Sequence, residues 1–229
     1  MIRVKRSPQP NVLNKNAPRW LAEFKSLSTD STATPKQIQN AQNKYRHPKV
    51  KDALIKMFCG KCAYCESKIA VVTYGAIDHF FPKSKYPHLT FEWTNLLLSC
   101  DRCNDGGHKG TQFPLDGNGN PLLIDPTDGI TDPNKHLEFS WDAISGLASV
   151  YGRDRRGKTV ETVFDLNGIR GRSELIDHRS KYVKRLFALL RFAQQGDAEA
   201  ITLLKESCDL SAEYSAFALI HIRPHLPRS

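Results

Sequence analysis

Four cysteines occur as two Cys-x2-Cys pairs, and their spacing predicts a metal site. Cys62 pairs with Cys65 and Cys100 pairs with Cys103, and 34 residues separate the two pairs. Each pair can present two thiolates from one tight turn, and two such pairs close a tetrahedral Zn²⁺ site. Because four protein ligands leave no coordination position open, we expect this zinc to be structural and any catalytic metal to lie elsewhere.

The other uses of cysteine fit this pattern less well. A redox Cys-x2-Cys motif opens a helix in a βαβ unit and does not occur in twos. Cys59 forms a second, overlapping Cys-x2-Cys unit in "CGKCAYC". We assign the ligands to the later pair, since Cys59 directly follows an apolar helical pattern and is expected to pack there. Cys208 stands alone and is interpreted as a small apolar residue.

Between the two cysteine pairs, the stretch "AIDHFFPKS" places an acid and an imidazole side by side among apolar residues. Asp78 and His79 are flanked by Ile77, Phe80 and Phe81. Polar groups in such surroundings cost free energy unless they are paired or bind a ligand. The pair is therefore a candidate for catalysis or metal binding, with a structural hydrogen bond as the alternative.

The order "CAYC", "IDHFFPKS" and "WTNLLLSCDRCN" resembles the HNH endonuclease family over residues 58–111. The resemblance implies an α+β protein. Its centre would be a ββα-metal HNH core with a structural four-cysteine zinc site, flanked by amino-terminal and carboxy-terminal helices. It also implies hydrolysis of phosphodiester bonds, which needs an activated water and charge neutralisation at the leaving oxygen.

The resemblance assigns roles to four residues. Asp78 and Asn104 would supply oxygen ligands to a catalytic Mg²⁺, with Mn²⁺ as the alternative ion. His79 would take a proton from the attacking water, since a neutral imidazole can act as a base near pH 7. Asn95 would fix the loop and orient the backbone around His79.

Three further residues near the motif have weaker assignments. Lys83 and Lys85 follow the motif and are expected to hold the phosphate backbone. His108, in "CNDGGHKG", departs from the family pattern of a continued helix with a nearby lysine. Three roles stay open for His108: a further ligand of the catalytic metal, a phosphate contact, or an ordinary loop histidine.

Further stretches extend the match beyond the core: "MIRVKR" at the start, "CAYCE", "PLLIDPTD" and "HLEF". Together with "IDHFFPKS" and "WTNLLLSCDRCN" they give a narrower resemblance, to the PtuB family, from residue 1 to about residue 140. These proteins are the HNH nuclease subunits of Septu-type and retron-associated anti-phage systems. The resemblance implies a nucleic-acid substrate, with DNA favoured over RNA, and an SMC/ABC-like ATPase partner of the PtuA type. In a retron system it also implies a reverse transcriptase with its single-stranded DNA. A free-standing HNH restriction or homing enzyme and a non-catalytic zinc-stabilised binding subunit are the alternatives.

The charge of the 229-residue chain is concentrated at one end. Residues 1–61 hold 13 Lys/Arg and three Asp/Glu, whereas the net charge of the whole chain is +9. A basic amino-terminal region suggests an anionic partner such as nucleic acid, with a solvated basic face as the alternative. No apolar run reaches the roughly 18 to 20 residues of a membrane span, so we expect a cytosolic protein without membrane association.

These patterns suggest three segments. Residues 1–57 would form a basic arm and a helix pair, with a partly ordered arm to residue 33 and helices from Thr34 and Pro48. Residues 58–111 would be the nuclease core. Residues 112–229 would hold a long loop, short strands and helices that dock a partner.

Several elements are expected around and after the core. Two strands in 66–81 would hinge at Gly75, and "TFEWTNLLLSC" would be a loop entering a helical turn. The apolar "LLI" at 122–124 would pin the long loop to the core. "HLEFSW", "LASVYG" and "TVETVFDL" would form a three-stranded meander. A long helix would end at Gly196, and two further helices would be capped by Asp197 and Ser211.

Overall fold

A computed structural model of the chain describes residues 1–69 and 75–227. The helices are α1 (Asn11–Thr29), α2 (Pro35–Gln42), α3 (Pro48–Met57), α4 (Asp101–Asn104), α5 (Pro133–His136), α6 (Arg155–Val163), α7 (Ser173–Gln194), α8 (Ala198–Ser207) and α9 (Ser215–His221). The strands are β1 (Ala76–His79), β2 (Leu96–Ser99), β3 (Leu137–Asp142) and β4 (Leu147–Gly152). The expected α+β class is confirmed.

The amino-terminal region is more helical than its sequence suggested. The prediction of a partly ordered arm to residue 33 is wrong, because α1 occupies most of it and buries Leu13, Trp20 and Phe24. Burial of these side chains stabilises the helix despite the proline inside it. The predicted helix from Thr34 is confirmed, with a capping box that Thr34 forms with Gln37. The restart at Pro48 is confirmed as α3.

The central hairpin pairs β1 with β2 in antiparallel register, Ala76 opposite Ser99 and His79 opposite Leu96. The loop predicted for "TFEWTNLLLSC" is wrong in its second half, since Leu96–Ser99 is a strand. All four side chains of β2 are buried, so this run lacks the alternation that marks a half-exposed strand. Of the strand expected over 67–74, residues 70–74 lie outside the described residues.

A second hairpin, β3–β4, confirms two strands of the predicted meander. The third is wrong, because "TVETVFDL" falls in α6 and the turn after it. Gly157 in α6 lies so close to α5 and β4 that a Cβ there would be 1.9 Å from the His136 carbonyl oxygen and 2.9 Å from Gly152 Cα. The middle of the long loop is buried, as expected for residues 122–124.

The carboxy-terminal helices pack on the same core as the rest of the chain. The long helix α7 and the Asp197 cap of α8 are confirmed. The cap expected at Ser211 is wrong, since α9 begins at Ser215 after Tyr214 in a left-handed conformation.

One cluster of buried apolar side chains extends from Met1 to Phe217, and a smaller one lies between α7, α8 and α9. None of the helices in the described ranges has the length and hydropathy of a membrane span.

Candidate active site and metal site

The four predicted zinc ligands converge on one point. The sulfur atoms of Cys62, Cys65, Cys100 and Cys103 all lie within 4.8 Å of one another, and those of Cys65 and Cys100 are 3.9 Å apart. Zn–S bonds of about 2.3 Å in a tetrahedron give sulfur separations of this size. The donor set and its geometry therefore fit a structural zinc ion. No second cluster of three or more His, Cys, Asp or Glu ligands occurs in the part of the chain that the structure describes.

Hydrogen-bond donors reach two of these sulfur atoms, and the surroundings shift the pKa values of the thiols in different directions. The Arg172 guanidinium donates a hydrogen bond to Cys103 Sγ (3.3 Å), and the backbone N–H of Cys103 donates to Cys100 Sγ (3.4 Å). Hydrogen bonds from the other three cysteines hold the pKa of Cys65 well below its usual value. Burial raises the pKa of Cys103. A hydrogen bond with Cys103 lowers the pKa of Cys100, but the Cys62 and Cys65 thiols and burial outweigh it and raise that pKa. Deprotonated sulfur is the form that binds metal. Donors around the ligands also orient them.

Cys59 lies outside the cluster, as the choice of the later pair requires. The expectation that it packs is wrong, since Cys59 is exposed and has a positive φ of 52°. It lies in the tight turn that follows α3, where its N–H donates to the Lys56 carbonyl (3.2 Å). The first ligand turn is attached to the hairpin, because the Ala63 N–H donates to the Leu98 carbonyl (2.8 Å).

Asp78 is buried, and both of its carboxylate oxygens accept hydrogen bonds. Lys109 Nζ donates to Oδ1 (3.0 Å) and the Tyr64 hydroxyl donates to Oδ2 (2.5 Å). Burial raises the pKa of Asp78, and the Lys109 ammonium opposes that effect. Lys109 has no exposed surface and also donates to the His79 carbonyl (2.6 Å). Asp78 and Lys109 thus form a buried ion pair beneath β1.

His79 faces the other side of β1, towards the amino-terminal helices. Its Nε2–H donates to the Thr90 carbonyl (2.9 Å), and its ring meets the Tyr45 ring edge-on at 4.5 Å. Because a carbonyl oxygen only accepts, this bond leaves Nδ1 as the acceptor of the neutral ring. Burial lowers the pKa of His79 from 6.5 to about 4, and nearby cations contribute. His79 is therefore a neutral, oriented imidazole at pH 7.

Asn95 ties the loop between β1 and β2 to the end of β1. Its Oδ1 accepts from the Phe81 N–H (2.7 Å), and its Nδ2 donates to the carbonyls of Phe81 and Leu89 (both 3.1 Å). The backbone carbonyl of Asn95 accepts from the Phe80 N–H (2.9 Å). These bonds hold both the residue after His79 and the loop that carries Thr90.

Asn104 and His108 lie on the α4 side of the hairpin. Asn104 is half-buried and lines a cleft of about 290 Å³ with Tyr45, Arg46 and Lys51. His108 is 6% exposed, and its Nδ1 lies 2.8 Å from an Asp105 carboxylate oxygen. His108 Nε2 is buried without a hydrogen-bond partner. No hydrogen bond joins Asp78 or His79 to Asn104 or His108 within the described residues.

Sequence reasoning missed three residues that position the predicted ones: Tyr64, Lys109 and Arg172. Tyr64 lies inside the "CAYC" turn and Lys109 follows His108, so both were within the motif without an assigned role. Arg172 lies 69 residues beyond Cys103, its partner at the metal site, and no local pattern marks it. Tyr64 also stacks on Phe164 at 4.0 Å, so the carboxy-terminal region supports the hairpin directly.

The chain matches a family profile and is similar in sequence to named proteins. A profile of the HNH endonuclease family matches residues 62–110. The Septu protein PtuB of Bacillus mycoides (strain KBAB4) is 33% identical over 210 residues, which cover 80% of this chain and 68% of that protein. The Septu protein PtuB of Bacillus thuringiensis is 35% identical over 145 residues, covering 62% of this chain and 51% of the relative. The chain is therefore an HNH endonuclease that belongs to the PtuB family of Septu proteins.

Proposed function

We propose that the chain is the metal-dependent nuclease subunit of a Septu-type anti-phage complex and hydrolyses phosphodiester bonds in nucleic acid, with DNA favoured over RNA. The observation that carries the proposal is His79: a neutral, buried imidazole whose Nε2–H is fixed on Thr90 and whose Nδ1 is left as the acceptor. An oriented base within an HNH domain suits removal of a proton from water.

In this mechanism the chain holds the base and presents it to the water. Thr90 sets the tautomer of His79, Tyr45 packs against the ring, and Asn95 holds the loop that carries Thr90. His79 Nδ1 accepts the proton of the attacking water. The low pKa keeps this nitrogen unprotonated at neutral pH, although it also makes the base weaker than an unperturbed histidine.

We propose that Asp78 and Asn104 bind a catalytic Mg²⁺, with Mn²⁺ as the alternative. Asp78 and Asn104 offer the oxygen ligands that these ions prefer. His108 Nε2 is buried without a hydrogen-bond partner and offers a nitrogen ligand. When bound, such an ion neutralises charge at the leaving oxygen. Lys109 now compensates the Asp78 charge, so ligation through Asp78 requires the Lys109 ammonium to move aside. A site with few protein ligands and several waters is usual for Mg²⁺.

The four-cysteine cluster is proposed to hold zinc with a structural role. Its four thiolates leave no open coordination position for a substrate or a water. The ion would connect the first ligand turn, the end of β2 and the start of α4, which are the elements that place Asp78 and Asn104.

The proposed partner is an SMC/ABC-like ATPase of the PtuA type. Two relatives are named as Septu proteins, and the basic amino-terminal region suits a nucleic-acid substrate shared with such a partner. A retron reverse transcriptase with its single-stranded DNA is a further partner suggested by the family resemblance alone.

The first prediction concerns His79. His79→Ala should lower the cleavage rate roughly 10²- to 10⁴-fold, because a positioned base contributes a factor of that size. The variant should keep its fold, its zinc and its affinity for nucleic acid. Cleavage of labelled DNA and RNA should be measured with Mg²⁺, the ATPase partner and its nucleotide present. His225→Ala, in an exposed turn near the carboxy terminus, is the matched control and should cleave at the wild-type rate.

A His79→Ala protein that cleaves at the wild-type rate would contradict the proposed role of this residue. A wild-type protein that binds nucleic acid and never cleaves it, with any of these metals or with the partner, would favour a non-catalytic binding subunit.

A further inference from the structure

The cleft that contains Asn104 has a wall built by the amino-terminal helices. Tyr45 and Arg46 lie in the turn between α2 and α3, and Lys51 lies in the first turns of α3. All three line the cleft of about 290 Å³ opposite Ala76 and Ile77 of β1. These wall residues lie outside residues 62–110, which match the nuclease family. The part of the chain before the domain therefore contributes to the cleft.

One buried ring connects this wall to the catalytic histidine. Tyr45 is 3% exposed and contacts the His79 ring edge-on. The Arg46 guanidinium lies 5.7 Å from the Tyr45 ring centroid, and its Nε donates to the Tyr45 hydroxyl (3.2 Å). Lys83 Nζ lies 5.9 Å from the same centroid. Two cations, Arg46 and Lys83, therefore lie close to the Tyr45 ring, and the same ring contacts His79.

The cations of this wall and the neighbouring Lys83 donate to uncharged acceptors. Lys51 Nζ donates to the Gly75 carbonyl, Lys83 Nζ to Gln42 Oε1 (2.8 Å) and Arg46 Nε to the Tyr45 hydroxyl (3.2 Å). Among the described residues, no salt bridge within 4.0 Å includes Arg46, Lys51 or Lys83. Asp101 acts on Lys51 from a greater distance.

Burial and the neighbouring Arg46 charge lower the pKa values of both Lys51 and Lys83, although Asp101 opposes the effect on Lys51. Mutual repulsion among like charges is relieved when an anion binds between them.

The geometry points to a phosphate-binding wall: Arg46 and Lys51 bind the phosphate backbone of the nucleic acid at the cleft between the amino-terminal helices and β1. This inference rests on the proposed nuclease function and adds residues that lie before the matched domain. A guanidinium offers a planar fork of donors to phosphate oxygens, and Arg46 presents it next to the ring that packs on His79. Lys51 adds a point charge deeper in the cleft.

The test measures binding rather than cleavage, in the full chain with His79→Ala to prevent turnover. A labelled DNA duplex and an RNA of the same sequence are titrated at several salt concentrations. Each lost phosphate contact should reduce the slope of log affinity against log salt by about one. Arg46→Ala and Lys51→Gln should each show this loss, and the double variant about twice as much. Arg46→Lys should keep the slope but bind more weakly, because the fork is lost.

Arg191→Ala removes an exposed charge on α7 and is the matched control, with an unchanged slope expected. Thermal unfolding of each variant checks that the fold is kept. Unchanged slopes for Arg46→Ala and Lys51→Gln, with a wild-type protein that cleaves, would overturn the inference and leave the proposed function standing. A wild-type protein that neither binds nor cleaves nucleic acid would overturn both.

Discussion

Asp78 and His79 are adjacent in β1, and the alternation of a strand sends their side chains to opposite faces. His79 faces the cleft wall and Asp78 faces Lys109 and Tyr64 in the interior. One face therefore carries a neutral base and the other a buried ion pair. Removing one partner of a buried pair leaves an uncompensated charge, which makes Asp78 important for stability as well as for the proposed metal site.

The second prediction separates these two roles of Asp78. Asp78→Ala should lower the free energy of unfolding by roughly 3–5 kcal/mol, because the Lys109 ammonium stays buried without its partner. Adding Lys109→Met should restore much of the lost stability, since neither charge then remains. Chemical denaturation of the two single variants and the double variant gives the coupling between the residues.

Cleavage by the stable double variant then reports on chemistry alone. We expect it to stay inactive, because the carboxylate proposed to bind Mg²⁺ is absent. Wild-type cleavage by the double variant would remove Asp78 from the metal site, and an unchanged stability of Asp78→Ala would contradict the buried ion pair.

At the scale of elements, the cysteine cluster joins three pieces of chain. The turn after α3, the end of β2 and the start of α4 each contribute ligands, and the linker before α7 contributes Arg172. The short helix α4 has only four residues, so its own hydrogen bonds cannot stabilise it. A metal ion at the cluster would hold α4, and Asn104 at its end, against the hairpin.

The third prediction compares a cysteine inside the four-cysteine cluster with one outside it. Cys100→Ser should abolish binding of one zinc ion per chain and lower the melting temperature, because structural zinc sites contribute about 10 kcal/mol or more in small peptides. Cys59→Ser should bind zinc and melt as the wild type does, since Cys59 is exposed and outside the cluster. Metal analysis of the purified proteins and thermal unfolding make the comparison.

Equal zinc content and melting in Cys100→Ser and the wild type would contradict the assignment of the ligands. Loss of zinc in Cys59→Ser would mean that the overlapping pair supplies a ligand instead.

Local spacing made the four-cysteine cluster predictable, whereas the elements held by distant contacts were not predictable. Two Cys-x2-Cys turns specify a metal site without knowledge of the rest of the chain. The stretch "TVETVFDL" looked like a strand because it is rich in β-branched residues, yet Val160, Val163 and Phe164 are buried at helical spacing. Gly157 allows this helix to approach the β3–β4 hairpin, a tertiary contact that propensity does not report.

Over the whole molecule, the three predicted segments share one hydrophobic core. Buried side chains from α1, from the HNH hairpin and from α9 belong to the same cluster. Leu186 and Leu190 of α7 are buried between α7, α8 and α9, so this face of α7 belongs to the core. Large apolar side chains that remain exposed in this region are Phe192, Leu203, Leu210 and Ile220.

The last prediction is that the chain forms a stable complex with its ATPase partner and that the exposed apolar side chains of the carboxy-terminal helices contribute to it. The co-expressed pair should elute together in size-exclusion chromatography at micromolar concentration, in low and in moderate salt. Phe192 is 56% exposed at the end of α7, so Phe192→Asp should weaken co-elution without unfolding the chain, because little of this side chain packs in the core. Ile144→Asp, in the turn of the β3–β4 hairpin and 99% exposed, is the matched control. Separate elution of the wild-type proteins would favour a free-standing nuclease. Co-elution that Phe192→Asp leaves unchanged would keep the complex but place its interface on another face of the molecule.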